Sequence, residues 1–173
     1  MNQPYRVMTV CTGNICRSPM AQVVLRDRLR RAGLDGAVVV DSTGISDEER
    51  GNPIDGRAAR VLSAGGYEVP SHRARRITRT DLAATDLILA MTSAHARALR
   101  ALARDDASLA RRVRMYRSFD PDAPIDGPEQ LLDVDDPWYG DHSDFEVTLA
   151  EVEAAADGIV AHVREAVARR TPT

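Results

Sequence analysis

The chain alternates short apolar runs rich in β-branched residues with longer stretches whose apolar positions recur at helical spacing, and this alternation restricts the fold more than any other feature. The predicted strands are residues 7–11, 37–41, 86–91 and 113–116. The predicted helices are residues 17–33, 58–65, 93–104 and 145–167, with Ser93 as the N-cap of the third. Strands separated by helices favour a parallel sheet with right-handed crossovers. We therefore predict an α/β fold.

Length and composition are those of one globular domain covering residues 1–173. With 43% hydrophobic residues, a chain of this length can bury a core without disulfides. The net charge of −3 gives no drive toward nucleic acid or anionic membranes, and no apolar run approaches the roughly 18 residues of a transmembrane helix. The four His and two Cys lack metal-ligand spacing, so we expect no metal and no cofactor. The two Cys, with a polar start and no secretory leader, favour the cytoplasm.

The first predicted strand runs directly into a short loop with the composition of an anion-binding turn. Its sequence is Cys11-Thr12-Gly13-Asn14-Ile15-Cys16-Arg17-Ser18-Pro19. Gly13 and Asn14 tolerate left-handed backbone, and Pro19 suits the first turn of a helix. In parallel α/β sheets, ligands bind beyond the carboxyl ends of the strands, where loop N–H groups and a helix N-terminus can converge on an anion. This loop is therefore the predicted binding site.

Three side chains of the loop have chemistry suited to phosphoryl transfer. A positive field that binds an anion also favours the thiolate, the nucleophilic form of cysteine, at Cys11. The planar guanidinium of Arg17 can hold two phosphate oxygens, and the Ser18 hydroxyl can hydrogen-bond the sulfur. From the local chemistry alone, a buried structural Cys11 with Arg17 on the surface is an equally good interpretation.

The nine-residue string is similar to the active-site loop of the low-molecular-weight protein tyrosine phosphatases, Cys-x-Gly-Asn-x-Cys-Arg-Ser-Pro, at every specified position. The resemblance implies a three-layer α/β/α fold with a four-stranded parallel sheet in the order 2-1-3-4. It implies that Cys11 is the nucleophile and that Arg17 is catalytic and holds the phosphoryl group. The remaining implied substrate-binding residues of the loop are Thr12, Gly13, Asn14, Ile15, Cys16 and Ser18.

The resemblance extends to a late Asp-Pro-aromatic motif, Asp136-Pro137-Trp138-Tyr139. It implies that Asp136 is the general acid and that Trp138 and Tyr139 flank the aromatic ring of the substrate. Asp135 is a neighbouring candidate, but it does not precede the proline.

Four further positions are interpreted through the same resemblance. Ser42 is expected to support Asn14, and His72 is expected to support the loop from a second position. Glu48 stands where many members of the family have a Trp that forms one wall of the substrate pocket. Thr92 stands where many have an Asp that contacts the histidine. The last two differences are similar to the arginine phosphatases of the family.

Ile15 and the aromatic pair favour phosphotyrosine over phosphoarginine, because these side chains would contact the substrate. The predicted function is hydrolysis of phosphotyrosine in a protein or peptide, with inorganic phosphate as product. A protein arginine phosphatase remains the alternative. An arsenate reductase would need further Cys, and a non-catalytic phosphate-binding module would not need Cys11, Arg17 and Asp136 together. We expect a monomer or weak dimer, with neither nucleic acid nor membrane as partner.

Overall fold

Four parallel strands form one sheet in the order β2-β1-β3-β4 in the computed structural model, which describes residues 3–170. The strands are β1 (Tyr5–Cys11), β2 (Val38–Gly44), β3 (Leu87–Ala90) and β4 (Val113–Met115). Cys11 pairs with Gly44, and Ala90 pairs with both Val10 and Met115, so the carboxyl ends of all four strands meet at one edge. The strand order predicted from the resemblance is confirmed.

Helices cover both faces of this sheet. They are α1 (Arg17–Arg31), α2 (Gly56–Ala64), α3 (Arg79–Ala84), α4 (Ser93–Ala103), α5 (Ala107–Ala110) and α6 (His142–Arg170). Successive β1 side chains point to opposite faces: Val7 packs in the apolar cluster that includes α1, α2 and α6, whereas Met8 packs in the one that includes α3, α4 and α5. Two apolar clusters on either side of a central sheet give the three layers expected for this fold.

The structure differs from the sequence-based prediction at the start of α4. The predicted N-cap was Ser93, but the cap is Thr92, whose Oγ1 accepts a hydrogen bond from the His95 N–H at 3.2 Å. Ser93 is the first helical residue, and its N–H donates to Asp133 at 2.6 Å. The prediction was wrong by one residue because both side chains can cap a helix and only the tertiary partner decides between them.

Two short helices were absent from the prediction. Helix α3 is held by a capping box in which Thr78 and Asp81 bond each other's backbone, and α5 is capped by Asp106. With six and four residues, these helices are too short to show helical periodicity. Strand β2 also extends beyond the predicted residue 41 to Gly44, which brings it alongside the loop that follows β1.

Candidate active site

The loop between β1 and α1 curls around a single left-handed residue, Asn14, with φ of 61°. Asn14 is fully buried, and its side-chain amide donates to the hydroxyls of Ser18 at 2.9 Å and Ser42 at 3.0 Å. Its side-chain carbonyl accepts the backbone N–H of Arg75 at 3.0 Å. Because asparagine tolerates this backbone and three partners fix its side chain, the loop is held in one conformation. The structure therefore brings Ser42 into direct contact with Asn14.

Backbone groups outside the loop donate hydrogen bonds to the loop carbonyls. The N–H groups of Ile45, Ser46 and Asp55 donate to the carbonyls of Cys11, Thr12 and Ile15, at distances between 2.9 and 3.1 Å. His72 Nε2 lies 2.6 Å from the carbonyl of Asn14. These carbonyls therefore point out of the loop. Because the C=O and N–H of a trans peptide point in opposite directions, the N–H groups of the same peptides point into the loop, where an anion can accept hydrogen bonds from them.

A glycine at the end of β2 permits this close packing. A Cβ on Gly44 would lie 2.5 Å from the Thr12 carbonyl oxygen and 3.2 Å from the Asn14 nitrogen. Contacts under about 3 Å are not tolerated between such atoms, so a side chain at this position would displace the loop. The end of β2 therefore forms the outer support of the binding loop.

Cys11 lines a cavity of about 310 Å³. Its Sγ is 3.0 Å from Ser18 Oγ, and the residue is buried. The single Ser18 hydroxyl proton can go either to the Thr43 carbonyl oxygen at 3.2 Å or to the sulfur, and a thiolate at Cys11 would be the stronger acceptor of the two because it is charged. The residues that line the cavity are Cys11, Thr12, Gly13, Ile15, Cys16, Arg17, Glu48, Glu49, Asp136, Trp138 and Tyr139.

Arg17 and Asp136 both line this cavity and form an ion pair with each other. The guanidinium lies 3.3 Å from Asp136 Oδ2, and its other terminal nitrogen donates to the Val134 carbonyl at 3.0 Å. Arg17 is buried, whereas the carboxyl side chain of Asp136 is 39% exposed, so this carboxylate is accessible to water. Asp135 is exposed and does not line the cavity. Of the two neighbouring carboxylates, only Asp136 lines the same cavity as Cys11.

Arg57 holds the aromatic motif in place, a function that the sequence did not reveal. Its guanidinium donates to the Trp138 carbonyl at 3.0 Å and lies 5.1 Å from the centre of the Trp138 ring. Asp55 fixes Arg57 through an ion pair of 3.1 Å. Burial alone would raise the pKa of Asp55, but the hydrogen bonds from Arg57 hold that pKa below its usual value. Tyr139, by contrast, is 89% exposed at the rim.

Two adjacent carboxylates, Glu48 and Glu49, line the mouth of the same cavity. Glu48 is exposed, and Glu49 accepts a hydrogen bond from Asn52 at 2.7 Å. The Glu49 side chain also packs close to Gly13, since its Cγ lies 3.0 Å from where a Gly13 Cβ would be. The sequence comparison pointed to Glu48 but missed Glu49, although the residues are neighbours.

The cavity of about 310 Å³ is identified as the candidate active site by the side chains that line it and not by its size. A larger cavity of about 690 Å³ lies between α1, β2 and residues 67–70. Its lining contains no Cys, Ser, Thr or His side chain, so within the described residues it offers no comparable nucleophile. The smaller cavity lies at the carboxyl edge of the sheet, where parallel α/β folds bind their ligands.

Residues 3–170 include no helix with both the length and the apolar character that a membrane crossing requires. Over the same range, no group of three or more His, Cys, Asp or Glu side chains is placed to hold a metal ion.

A parallel sheet whose first strand leads into a Cys-to-Arg anion loop, with a carboxylate facing that loop, defines a protein of the cysteine-dependent phosphatase class. Within that class, the chain belongs to the low molecular weight phosphotyrosine protein phosphatase family, whose model matches residues 6–169.

Individual relatives resemble the chain over nearly its whole length. The low molecular weight protein-tyrosine phosphatase A of Mycobacterium tuberculosis (strain ATCC 25618 / H37Rv) is 47% identical over 173 residues, which is 100% of both chains. The low molecular weight protein-tyrosine-phosphatase of Streptomyces coelicolor is 45% identical over 166 residues, 96% of this chain and 98% of the relative. A crystal structure of a protein tyrosine phosphatase from Entamoeba histolytica, with Hepes in the active site, matches with a TM-score of 0.83 at 25% identity. That match covers 94% of this chain and 98% of the other.

Proposed function

We propose that this protein hydrolyses phosphotyrosine in proteins or peptides through a phosphocysteine intermediate, without a metal or cofactor. The observation that carries the proposal is the convergence of Cys11, Arg17 and Asp136 on one cavity of about 310 Å³. These three side chains supply a nucleophile, an anion-binding group and a proton donor, which together are sufficient for phosphoryl transfer.

In the first step the phosphate group binds the inward N–H groups of the loop and the guanidinium of Arg17. The Cys11 thiolate attacks phosphorus, so an S–P bond forms while the bond from phosphorus to the tyrosine oxygen breaks. The electron pair of the broken bond goes to that oxygen, which takes a proton from Asp136. The product of this step is the free tyrosine side chain and phosphocysteine at Cys11.

In the second step a water molecule hydrolyses the intermediate. Asp136, now ionised, takes a proton from the water as its oxygen bonds to phosphorus and the S–P bond breaks. The sulfur leaves as a thiolate, which the Ser18 hydroxyl at 3.0 Å stabilises by donating a hydrogen bond. Inorganic phosphate is released, and the enzyme returns to its starting state.

Two features of the cavity bear on the choice of substrate. Trp138 and Tyr139 line one side and can flank an aromatic ring, which supports phosphotyrosine. Glu48 and Glu49 also line the cavity, and their carboxylates could accept hydrogen bonds from the nitrogens of a phosphoarginine side chain. The second observation keeps protein arginine phosphatase as the alternative function.

Peptides of one sequence that carry phosphotyrosine, phosphoserine or phosphoarginine at the same position separate these functions. We expect kcat/KM to be highest for phosphotyrosine, because its ring reaches from the loop to the aromatic pair. Loss of all three activities in a Cys11→Ser preparation would exclude contaminating phosphatases. A higher kcat/KM for phosphoarginine would replace the proposal by the alternative, and no turnover of any peptide would leave only a phosphate-binding module.

The other properties of the protein are proposed on the same basis. We take residues 1–173 to be one phosphatase domain, since the family model covers residues 6–169. We further propose a cytoplasmic monomer or weak dimer that acts on phosphoproteins and has no nucleic-acid or membrane partner. The net charge of −3 supports the last point.

Replacing Glu48 by tryptophan should lower KM for aryl phosphates by about 2–12-fold, the effect of one added aromatic contact of about 0.5–1.5 kcal/mol. A ring at this position would add a wall to the cavity and remove a carboxylate that repels the substrate dianion. Glu48→Gln removes the charge without adding a ring, so the difference between the two variants measures the aromatic contact. KM is obtained from initial rates with nitrophenyl phosphate.

A matched control is Glu68→Gln, which changes an exposed glutamate at the other cavity. Its KM should equal that of the unmodified protein. If both Glu48 variants also keep the original KM, the Glu48 side chain points into water and does not contribute to the pocket.

A further inference from the structure

A buried histidine outside the proposed chemistry, His95, contacts the phosphate-binding loop. Its Nε2 lies 2.8 Å from the Thr12 hydroxyl oxygen, and the residue is only 3% exposed. The first turn of α4 fixes its position, because the His95 N–H is bonded to the Thr92 cap. His95 is 83 residues from Thr12 in the sequence, so only the fold brings the two together.

The His95 ring is neutral at physiological pH. Burial lowers its pKa to about 3, and the positive charge of Arg17 adds to that effect. A neutral imidazole has one N–H and one bare nitrogen, so the tautomer determines what the ring can offer. His95 Nδ1 is buried and has no hydrogen-bond partner within residues 3–170.

The unpartnered nitrogen identifies the tautomer. A proton on Nδ1 would leave a buried N–H donor without an acceptor, which is rare in proteins, and an unpaired acceptor is better tolerated. The proton therefore belongs on Nε2, from which it is donated to the Thr12 oxygen at 2.8 Å.

The Thr12 hydroxyl oxygen then accepts hydrogen bonds from two side chains, His95 and Arg17. Besides the His95 ring, an Arg17 guanidinium nitrogen lies 3.5 Å from Thr12 Oγ1. That same nitrogen is 3.3 Å from Asp136, which places Thr12 Oγ1 beside the groups that line the cavity. With its oxygen accepting from two sides, the hydroxyl has only its own proton left to donate.

We propose that His95 is a positioning residue: by donating to Thr12, it turns the Thr12 hydroxyl into a hydrogen-bond donor for the phosphoryl group bound in the loop. The proposal rests on the proposed function only in assuming that this loop binds phosphate. Thr12 thereby adds a side-chain donor to the backbone N–H groups and to Arg17. His95 itself does not touch the substrate.

The test compares His95→Leu, which removes the donor, with His95→Gln, whose side-chain amide can reach the place of the imidazole Nε2–H. The dissociation constant of inorganic phosphate is measured by calorimetry, and kcat/KM is measured with nitrophenyl phosphate. We expect His95→Leu to weaken phosphate binding about tenfold, the scale of one hydrogen bond to a charged group, and His95→Gln to restore most of it. His162→Gln, which alters a half-buried histidine on α6 in edge-to-face contact with Phe119, is the matched control and should bind phosphate normally.

A double-mutant cycle identifies the route of the effect. If His95 acts through Thr12, Thr12→Val should cause the same loss as His95→Leu, and the double variant should lose no more than either. The melting temperature distinguishes positioning from structural support, because leucine has no unpaired nitrogen to bury and should not destabilise the fold. Affinity should therefore fall while the melting temperature holds.

Three results would overturn the proposal. The first is that His95→Leu binds phosphate within about twofold of the unmodified protein, and the second is that the losses of phosphate affinity add in the double variant. The third is that His95→Leu loses affinity together with a lowered melting temperature and that His95→Gln does not restore the affinity. The calorimetric readout also separates this proposal from the catalytic one. A protein that binds phosphate through His95 and Thr12 but hydrolyses no phosphopeptide would retain the inference and lose the proposed activity.

Discussion

Replacing Cys11 by serine should abolish hydrolysis of aryl phosphates while the protein still binds inorganic phosphate. The change removes the sulfur that is proposed to attack phosphorus, and a serine hydroxyl stays protonated near neutral pH and is a much weaker nucleophile than a thiolate. Loss of a covalent nucleophile lowers kcat by about 10⁴–10⁶-fold. The inward N–H groups and Arg17, which bind the anion, are unchanged. Turnover of nitrophenyl phosphate and calorimetric titration with phosphate measure the two effects separately.

Cys16→Ser is the matched comparison, because Cys16 is the second buried thiol of the same loop. Burial raises the pKa of the Cys16 thiol, so that sulfur remains protonated at neutral pH and is a poor nucleophile. The Cys16 variant should therefore keep measurable turnover. Near-normal rates in Cys11→Ser, with activity lost in Cys16→Ser, would show that the nucleophile is Cys16 and that the assignment to Cys11 is wrong.

Asp136→Asn should slow hydrolysis by about 10²–10⁴-fold for substrates whose leaving group has a high pKa, and much less for nitrophenyl phosphate. An alkoxide or ordinary phenolate needs a proton as it leaves, whereas nitrophenolate is stable without one. The variant also removes the carboxylate that faces Arg17 at 3.3 Å, so phosphate binding should be retained. A series of aryl phosphates with graded leaving groups provides the measurement.

Asp135→Asn changes the adjacent carboxylate, which is exposed and outside the cavity lining. It should show the normal dependence on the leaving group. Equal losses across the series in Asp136→Asn would remove that residue from the role of general acid, and an altered dependence in Asp135→Asn would transfer the role to its neighbour.

The sequence predicted those parts of the site that are contiguous in the chain. The loop from Cys11 to Ser18 combines a strand end, a left-handed residue and a helix start within eight positions, so each local preference supports the same geometry. The long helix α6 was equally readable, because its buried side chains repeat at spacings of three and four. Short helices such as α3 depend on caps and tertiary contacts, and no periodicity reveals them.

Of the groups that contact the loop from distant parts of the chain, Ser42 and His72 were expected only through the family resemblance, and His95 was not predicted. His95 is an ordinary residue of an amphipathic helix until α4 packs beside the loop and brings its ring to Thr12. Arg57 had one local signal, its spacing of two from Asp55, but its contact with Trp138 spans 81 residues. The choice between Thr92 and Ser93 as the cap of α4 likewise depends on a tertiary contact, the hydrogen bond from the Ser93 N–H to the Asp133 carboxylate.

The packing of α1 against α6 determines how the proposed reactants are held relative to each other. Helix α1 begins at Arg17, immediately after the nucleophile loop, and α6 begins at His142, just after the Asp136 motif. The two helices pack together through buried side chains that include Val24 and Ile159. The loop that carries Cys11 and the motif that carries Asp136 are therefore each attached to one of two helices that pack against each other. Core substitutions in this helix pair would change the rate of chemistry from far below the cavity, with no loss of any group that touches phosphate.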